Sequence, residues 1–562
     1  MTATTSPATS APTRSRAARA VPHPSVADRR AKGADARIAT PLSLQAKFTP
    51  AADRFDPVEL LCDQDTRREQ DLVPVRHGRM MVSPFTFYRG AARIMAGDLA
   101  GTPTSGLECQ LCGDAHLSNF GGYASPERKL VFDANDFDET LPGPFEWDVK
   151  RMAASFTIAA MNNGFTAEDG RAATLTAVQS YREAMATFAT MGTMELWYTH
   201  ISEDDLTQAL GKVAEDIRRQ KAKQERGKKD AGKHGKAPAG KSGKGGGKAK
   251  AGKGSKRPDL AVTPTGGKGK GKKSGTDTLR DRATGAGAPM TEEGELKALE
   301  FTEKALRKAH TRDSLQALSK LAELVDGKYR IISQPPVVVP VRDWSTFYDV
   351  PESDIEAAIK HLFREYRATL PDDRRRLLER FEVIDVARKV VGVGSVGTRC
   401  FIILLQGRDE QDPLFLQVKE ATASVLEDHL AKSKFTNPGE RVVQGQRLMQ
   451  ATSDIFLGWS RGFQADRFFY WRQLRDMKAS ADIDNLQPFG LTFYARLCGW
   501  TLARGHARSG DAVAMAEYLG TDDTFDRAIA DFSEAYAVQN QKDYDAFVEA
   551  VRTGRIEAVQ GV

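Results

Sequence analysis

Cys112-Gly113-Asp114-Ala115-His116-Leu117-Ser118-Asn119-Phe120-Gly121, with its continuation Leu130-Val131-Phe132-Asp133-Ala134-Asn135-Asp136-Phe137-Asp138-Glu139, is the stretch on which the reading of this chain turns. Leu107 to Cys112 mostly alternates apolar and polar residues, which predicts a short strand delivering a loop. That loop carries Asp114, His116 and Asn119. A second strand, Leu130 to Phe132, delivers Asp133, Asp136 and Asp138. Two strand ends therefore bring several carboxylates and an amide to one place. Carboxylates held close repel unless a cation or a proton sits between them. Oxygen ligands of this kind suit Mg²⁺, which takes one or two carboxylates and leaves its other positions to water and substrate phosphates. Asp and Asn are also common turn residues, so Asp133 and Asp138 are open to reading as ordinary loop acids. His116 is open to reading as a structural hydrogen-bonding residue or as a participant in proton transfer.

Gly-Asp-x-His-x-x-Asn followed by Asp-Phe-x resembles the catalytic and metal-binding segments of the protein-kinase-like fold, in the variant of aminoglycoside and choline kinases. The resemblance implies that Asp114 positions or deprotonates an acceptor hydroxyl, and that Asn119 and Asp136 hold Mg²⁺. It gives His116 a place in the same catalytic loop. Phe145-Glu146-Trp147-Asp148-Val149-Lys150 extends the match, with Asp148 at the interval where these kinases carry a helix Asp that braces the loop. More closely, the segment from Ser83-Pro84-Phe85-Thr86-Phe87-Tyr88-Arg89-Gly90 to Lys150-Arg151 resembles the bacterial domain of unknown function 2252 family. That resemblance covers most of the chain outside the tail and linker.

A second constellation spans Val386 to Glu420. Val386 to Val391 reads as a strand, and Gly392-Val393-Gly394-Ser395-Val396-Gly397 as a G-x-G-x-x-G turn. Cys400 to Leu405 returns as a strand, and Leu414 to Lys419 is a third ending in Lys. Glycines let backbone N–H groups approach phosphates. A dinucleotide-binding turn would open a helix. This turn opens a strand of β-branched and apolar residues, and strand, glycine loop, strand, strand-Lys is the kinase pattern. By that resemblance Gly392, Gly394 and Gly397 cover the nucleotide phosphates and Lys419 pairs with them. Glu440, at the start of a predicted helix Pro438 to Thr452, is the first choice of carboxylate to orient Lys419, with Glu427 the alternative. Asp454 to Trp459 and Arg467 to Leu474 read as two more strands, the second leading into an adenine-facing hinge. Leu491 to Ala507 reads as a helix of the kind that precedes a catalytic loop, a place that Phe85 to Leu99 could equally fill.

The order departs from the family pattern, because the catalytic loop and metal Asp precede the glycine loop and Lys. A circular permutation accounts for this, a rearrangement tolerated where termini lie close together at the surface. The expected class is α+β: a two-lobed protein-kinase-like fold, circularly permuted, with a mainly helical lobe and a small antiparallel β lobe. Residues 1–45 are expected to be a disordered tail, 46–219 the helical lobe with its catalytic loop, and 220–287 a disordered Lys/Gly/Ala-rich linker. Residues 288–381 are expected to connect through helices and extended chain, 382–480 to form the β-rich nucleotide lobe, and 481–562 to complete the helical lobe.

Composition bounds the rest. Of the 562 residues, Arg218 to Lys273 carry twenty Lys and Arg against three acids, so the remainder is at −11 against an overall +6. The globular portion is thus acidic, and only the linker is expected to bind polyanions, weakly and in a salt-dependent way. Five scattered cysteines argue against a disulfide framework and fit a reducing cytoplasm. Cys109 and Cys112 form a lone C-x-x-C without a second pair, which reads as buried strand cysteines. No run reaches the roughly 18 apolar residues a membrane span needs, and no apolar segment follows the N-terminal arginines as in a secretory signal. The expected activity is ATP- and Mg-dependent phosphoryl transfer to the hydroxyl of a small molecule or a protein, a small molecule being the first choice. The rivals are a nucleotide-binding pseudokinase scaffold, a metal-dependent hydrolase using the same acids, and a polyanion-binding protein.

Overall fold

The computed structural model describes residues 23–212, 215, 314–344, 352–462, 466–474 and 477–561. The expected linker, residues 1–22 of the expected tail and residues 288–313 of the connecting region lie outside them. The architecture is mixed: a mainly helical body, two small sheets that carry the acidic loops, and a separate six-stranded antiparallel sheet.

Order begins earlier than composition suggests. Ser25 and Asp28 form a capping box that starts α1 (Val26–Ala39). This corrects the expectation of a disordered tail through residue 45. The small residues that made the segment look unfoldable are what let α1 lie close on a C-terminal helix. A Cβ on Gly33 would meet the Ala514 carbonyl oxygen at 2.3 Å, and Arg37 Nε donates to the Tyr518 carbonyl at 2.8 Å.

Next come α2 (Pro57–Asp65), α3 (Val73–Met80), α4 (Pro84–Gly90) and α5 (Ala92–Ala100). The single helix expected over Phe85 to Leu99 is two. Ser83 caps its start, with Pro84 in the first turn. The break follows Gly90, whose carbonyl accepts a 3.0 Å hydrogen bond from the buried Arg76 guanidinium rather than serving the helix.

Strands β1 (Glu108–Leu111) and β4 (Leu141–Pro144) pair antiparallel, as do β2 (Phe120–Ala124) and β3 (Leu130–Ala134). Helix α6 (Phe145–Asn162) follows β4 directly and is buried from Phe145 to Ala160. Its Phe, Met, Ile and Ala residues join the main core. Its polar residues cannot be buried unpaired. Glu146 accepts from the Ser105 N–H at 2.7 Å and Lys150 donates to Thr102 Oγ1 at 3.1 Å. Helix α7 (Ala167–Phe188) packs beside it, and β5 (Ile201–Ser202) pairs with β3.

Past the linker, α8 (Ser314–Leu321) leads into the hairpin β6 (Ala322–Val325) and β7 (Lys328–Ile331). The helix ends at Leu321 and does not run on to Val325. Asp326 and Gly327 instead turn the chain with φ of 50° and 75°, the backbone a two-residue hairpin needs. The large sheet has the order β12-β13-β11-β10-β9-β8, built from β8 (Val338–Pro340), β9 (Glu382–Lys389), β10 (Cys400–Gln406), β11 (Pro413–Glu420), β12 (Gly458–Arg461) and β13 (Phe468–Gln473). Before β9, α9 (Glu352–Ala368) and α10 (Asp372–Leu378) back one face, where Tyr366 stacks on Trp471 at 4.3 Å. The hairpin and α8 cover the other with Leu318, Leu321 and Ile331. The strand expected from Asp454 starts only at Gly458, because Asp454 spends its carboxylate on the Phe456 and Gln473 N–H groups.

Between β11 and β12 runs α11 (Pro438–Met449), and after β13 the chain returns to the helical body through α12 (Pro488–Ser509), α13 (Ala512–Leu519) and α14 (Thr524–Arg552). α12 crosses α7 at very close range, since a Cβ on Gly499 would stand 2.0 Å from the Ala177 carbonyl oxygen. Gly499→Ala must therefore push α7 and α12 apart. It is expected to cost about 1–3 kcal/mol, the range for overpacking a core, read as a lower midpoint in denaturant melts of the full chain.

Candidate functional site

The acidic loop is held from beneath by α6. Asp148 accepts hydrogen bonds from the Cys112 N–H at 2.6 Å and the Gly113 N–H at 3.0 Å. Its Oδ2 also meets His506 Nε2 at 3.2 Å, and the other ring nitrogen of His506 lies 2.9 Å from the Tyr181 hydroxyl. One carboxylate thus ties the loop to α6, α7 and α12. Gly113 has φ of 86°, and a Cβ there would strike the Glu139 carbonyl oxygen at 2.1 Å. No other residue fits this approach of the two acidic segments.

Asp114 follows. Arg151 on α6 places both Nε and Nη2 at 2.8 Å from Asp114 Oδ1. Its Oδ2 is left facing His116 Nε2 at 3.7 Å. Burial raises the Asp114 proton affinity, and Arg151 opposes that. Asn119 Nδ2 donates to the Asp114 carbonyl at 2.7 Å, closing the loop on itself. His116 is 4% exposed, and burial beside Arg89 and Arg151 holds its ring well below the usual imidazole range, in the neutral form.

The second acidic segment leaves β3. Asp133 does not reach the cleft; it is 2% exposed and engages Arg504 and the Ala451 N–H. It belongs to the core, as an ordinary structural acid. Asp138 does not. Lys419 Nζ stands 2.5 Å from Asp138 Oδ2 and 3.8 Å from Asp136 Oδ1. The Tyr470 hydroxyl donates to Asp138 Oδ1 at 2.6 Å. Burial would depress the Lys419 ammonium, but the two carboxylates outweigh it and hold it protonated. Burial and the neighbouring Asp138 raise Asp136, whereas Lys419 and Tyr470 hold Asp138 below the ordinary range against its own burial.

Glycine-loop residues close the cleft from the sheet side. Gly392 and Gly397 have φ of 64° and 85°, and Gly394 lies against the Arg89 carbonyl. The loop is anchored to the helical body: Arg79 donates to the Gly392 carbonyl at 2.7 Å, Arg68 to the Val396 carbonyl at 2.6 Å, and the Glu69 N–H to the Gly397 carbonyl at 2.7 Å. The resulting cleft of about 220 Å³ is lined by Asp114, His116, Asn119, Asp136, Gly392 and Gly394, together with Asp138, Glu139 and arginines from α2 to α5.

Neither Glu440, the expected partner of Lys419, nor Glu427, the alternative, orients it. Glu440 sits in the first turn of α11 and does not pair with Lys419, and the Glu427 carboxylate serves as a cap for the Ser424 N–H. Asp138, two residues beyond the metal-ligand candidate, takes that role. The neighbour of Glu440 is the one that reaches inward. Arg441 donates to the carbonyls of Thr140, Asp138 and Thr422, locking the acidic segment to the end of β11. Nothing in local sequence distinguishes Asp138 from a turn residue, because its partner is 281 positions away.

Among the described residues no group of three or more His, Cys, Asp or Glu side chains is gathered as a metal site. Asn119 and Asp136 both line the cleft. One amide oxygen and one carboxylate match the sparse protein ligation of Mg²⁺ where phosphates supply the rest.

The chain belongs to the DUF2252 family, described as an uncharacterized protein conserved in bacteria, whose model matches residues 68–250 and 271–550. Neither a curated protein nor a solved structure matches the chain. The five cysteines are all free, and no helix among the described residues is long and apolar enough to cross a membrane.

Two outcomes follow from the electrostatics. Removing Asp138 leaves a 3%-exposed ammonium with Asp136, 3.8 Å away, as its remaining carboxylate among the described residues. Asp138→Asn is expected to fall toward the lower end of the roughly 3–5 kcal/mol for breaking a buried pair, since Asp136 still neutralises some of the charge. Adding Lys419→Met should recover a portion of that loss in denaturant titrations. Glu139 is pushed up to about 7, by burial before any other cause. A carboxyl raised in the folded state contributes stability that is fully present below its unfolded value and lost as pH rises through 7. Glu139→Gln keeps an oxygen for the Val425 N–H and should flatten the decline in stability between pH 5 and 7; an unchanged slope would locate that proton elsewhere.

Proposed function

We propose that this chain is an ATP- and Mg-dependent phosphotransferase acting on the hydroxyl of a small molecule, in the cytoplasm. The observation that carries the reading is the junction of Lys419 with Asp136 and Asp138. It joins the glycine-loop sheet to the acidic segment beside the cleft that Asp136 and Asp138 line, each motif being incomplete alone. The succession β9, glycine loop, β10, β11-Lys419 within one sheet supports the resemblance to the protein-kinase-like fold in permuted order. The modest cleft favours a small-molecule acceptor over a protein.

In this reading each residue has a separable task. Lys419, fixed by Asp138 and Tyr470, presents its ammonium to the nucleotide phosphates. Backbone N–H groups of Gly392 to Gly397 cover those phosphates. Asn119 and Asp136 would hold Mg²⁺, which supplies charge neutralisation between phosphate oxygens when bound. Asp114 keeps Oδ2 clear of Arg151, so that oxygen can accept the hydrogen bond of the acceptor hydroxyl. The oxygen so oriented attacks the terminal phosphorus, the bond to the bridging oxygen breaks, and the hydroxyl proton passes to Asp114. Neutral His116 beside it keeps a second positive charge off the loop.

The variants should fail differently. Asp114→Asn retains the loop's size, so Mg-ATP should still bind while turnover falls by ~10²-fold or more, the scale of a general acid/base group. Lys419→Met should weaken Mg-ATP binding and turnover together, because misplaced phosphates lose rate steeply. The comparison is calorimetric Mg-ATP titration beside single-turnover transfer from γ-labelled ATP into a metabolite pool. Near-normal turnover in Asp114→Asn would overturn the role given to that residue.

A further inference from the structure

The charges around the cleft are mostly spent on one another. Arg68 pairs with Asp65, and Arg93 with Asp63 and Asp428. Glu420 takes Arg399 and Arg467. Two arginines of the lining are exceptions, exposed Arg67 and half-buried Arg89, and Arg89 is the more enclosed. It forms no ion pair or hydrogen bond through its guanidinium among the described residues, and its Nε is shut off from solvent without a partner. A half-buried guanidinium left unpaired carries a cost; of the two acids whose charge reaches it, Asp114 is already held by Arg151, and Asp484 makes no ion pair or hydrogen bond with it among the described residues.

Its position is set by the machinery of Asp114. Arg151, which grips Asp114, also donates from Nη2 to the Tyr88 carbonyl at 2.8 Å, and the Tyr88 hydroxyl donates back to the Arg151 carbonyl at 2.8 Å. Arg89 is the next residue of α4. His116 Nδ1, on the same cleft wall, is likewise buried without a partner. An unpaired cation and an unpaired ring nitrogen thus flank the carboxylate that would receive the acceptor hydroxyl.

We propose that Arg89 receives an anionic group of the acceptor, so that the hydroxyl compound taken by this cleft carries a carboxylate or a phosphate. The assignment to the acceptor rests on the phosphotransferase reading, and it goes beyond that reading by naming the acceptor's charge. A guanidinium matches either anion in a two-pronged hydrogen bond. The same chemistry would also suit a nucleotide phosphate, since Gly394 lies against the Arg89 carbonyl. Lys419 and the glycine loop already face that task, whereas Arg89 is tied to the Asp114 side.

The test uses the full chain and four probes: inorganic phosphate, glycerol 3-phosphate, D-glycerate and uncharged glycerol, beside Mg-ATP. Wild type should bind at least one anion more tightly than glycerol by about tenfold or more, the scale of hydrogen bonds to a charged group. Arg89→Met should erase that preference and leave the Mg-ATP dissociation constant unchanged. Arg89→Lys should retain some of the preference. The ligand-free melting temperature of Arg89→Met should hold or rise, because an unpaired, half-buried charge has been removed. A fall in that temperature would make Arg89 structural and overturn the proposal. Wild type indifferent to all three anions would overturn it too. Equal weakening of Mg-ATP and the anions would assign the guanidinium to the donor phosphates and overturn it as well. Failure of wild type to bind Mg-ATP, with the anion preference still lost in Arg89→Met, would refute the phosphotransferase reading and leave Arg89 as an anion site.

Discussion

A single ammonium, Lys419 Nζ, lies 2.5 Å from Asp138 and 3.8 Å from Asp136, and the rest of the site depends on it. Without a cation the two carboxylates, two residues apart in the chain, would repel and one would take up a proton. With it, the pair stays charged at the base of a cleft. The ammonium in turn has little else to satisfy it, being 3% exposed with Tyr470 beneath it at 5.4 Å from the ring centroid. Sheet and helical body are therefore joined by a contact neither could drop alone. Arg441 reinforces it by fastening the carbonyls of Asp138 and Thr140 to that of Thr422.

The opposite wall is organised by α6. Its sequence looks like a core helix, yet its polar residues perform a distinct task at each turn. Glu146 and Lys150 hold the chain before β1. Asp148 takes two backbone N–H groups of the acidic loop, and Arg151 takes the Asp114 side chain. A spacing of three residues puts Asp148 and Arg151 on one face. A rigid helix positions a loop more sharply than the loop could position itself.

Much of this was legible in sequence, for a physical reason. Alternation around Leu107 to Cys112 and the glycine loop between apolar strands are local signals, and the structure carries both of them. The brace by Asp148 was legible from its resemblance. What sequence hid is long-range. Asp138 reads as a loop acid because its partners, Lys419 and Tyr470, come from another sheet. Glu440 reads as a helix-start carboxylate suited to Lys419, but the turn of α11 sends Arg441 inward instead. The break after Gly90 depends on Arg76, and α1 depends on a helix near the other end of the chain. Composition misjudged α1 because small residues signal either disorder or close packing, and only the partner surface decides between them.

The unusual order of the motifs costs little. Lys419 and Asp138 are 281 positions apart, with the basic tract of 220–287 between them. Closure entropy grows only as the logarithm of loop length. Treated as a free loop, that tract adds about 0.2 kcal/mol to the closure, far less than the roughly 3–5 kcal/mol at stake in a buried ion pair. A site assembled from distant segments can therefore keep its geometry while the chain between them lengthens and changes composition. That latitude lets a strongly basic tract interrupt an otherwise acidic protein. It also explains why the tract's charge can dominate the composition of the whole chain, although the acids, glycines and lysine that define the cleft all come from outside it.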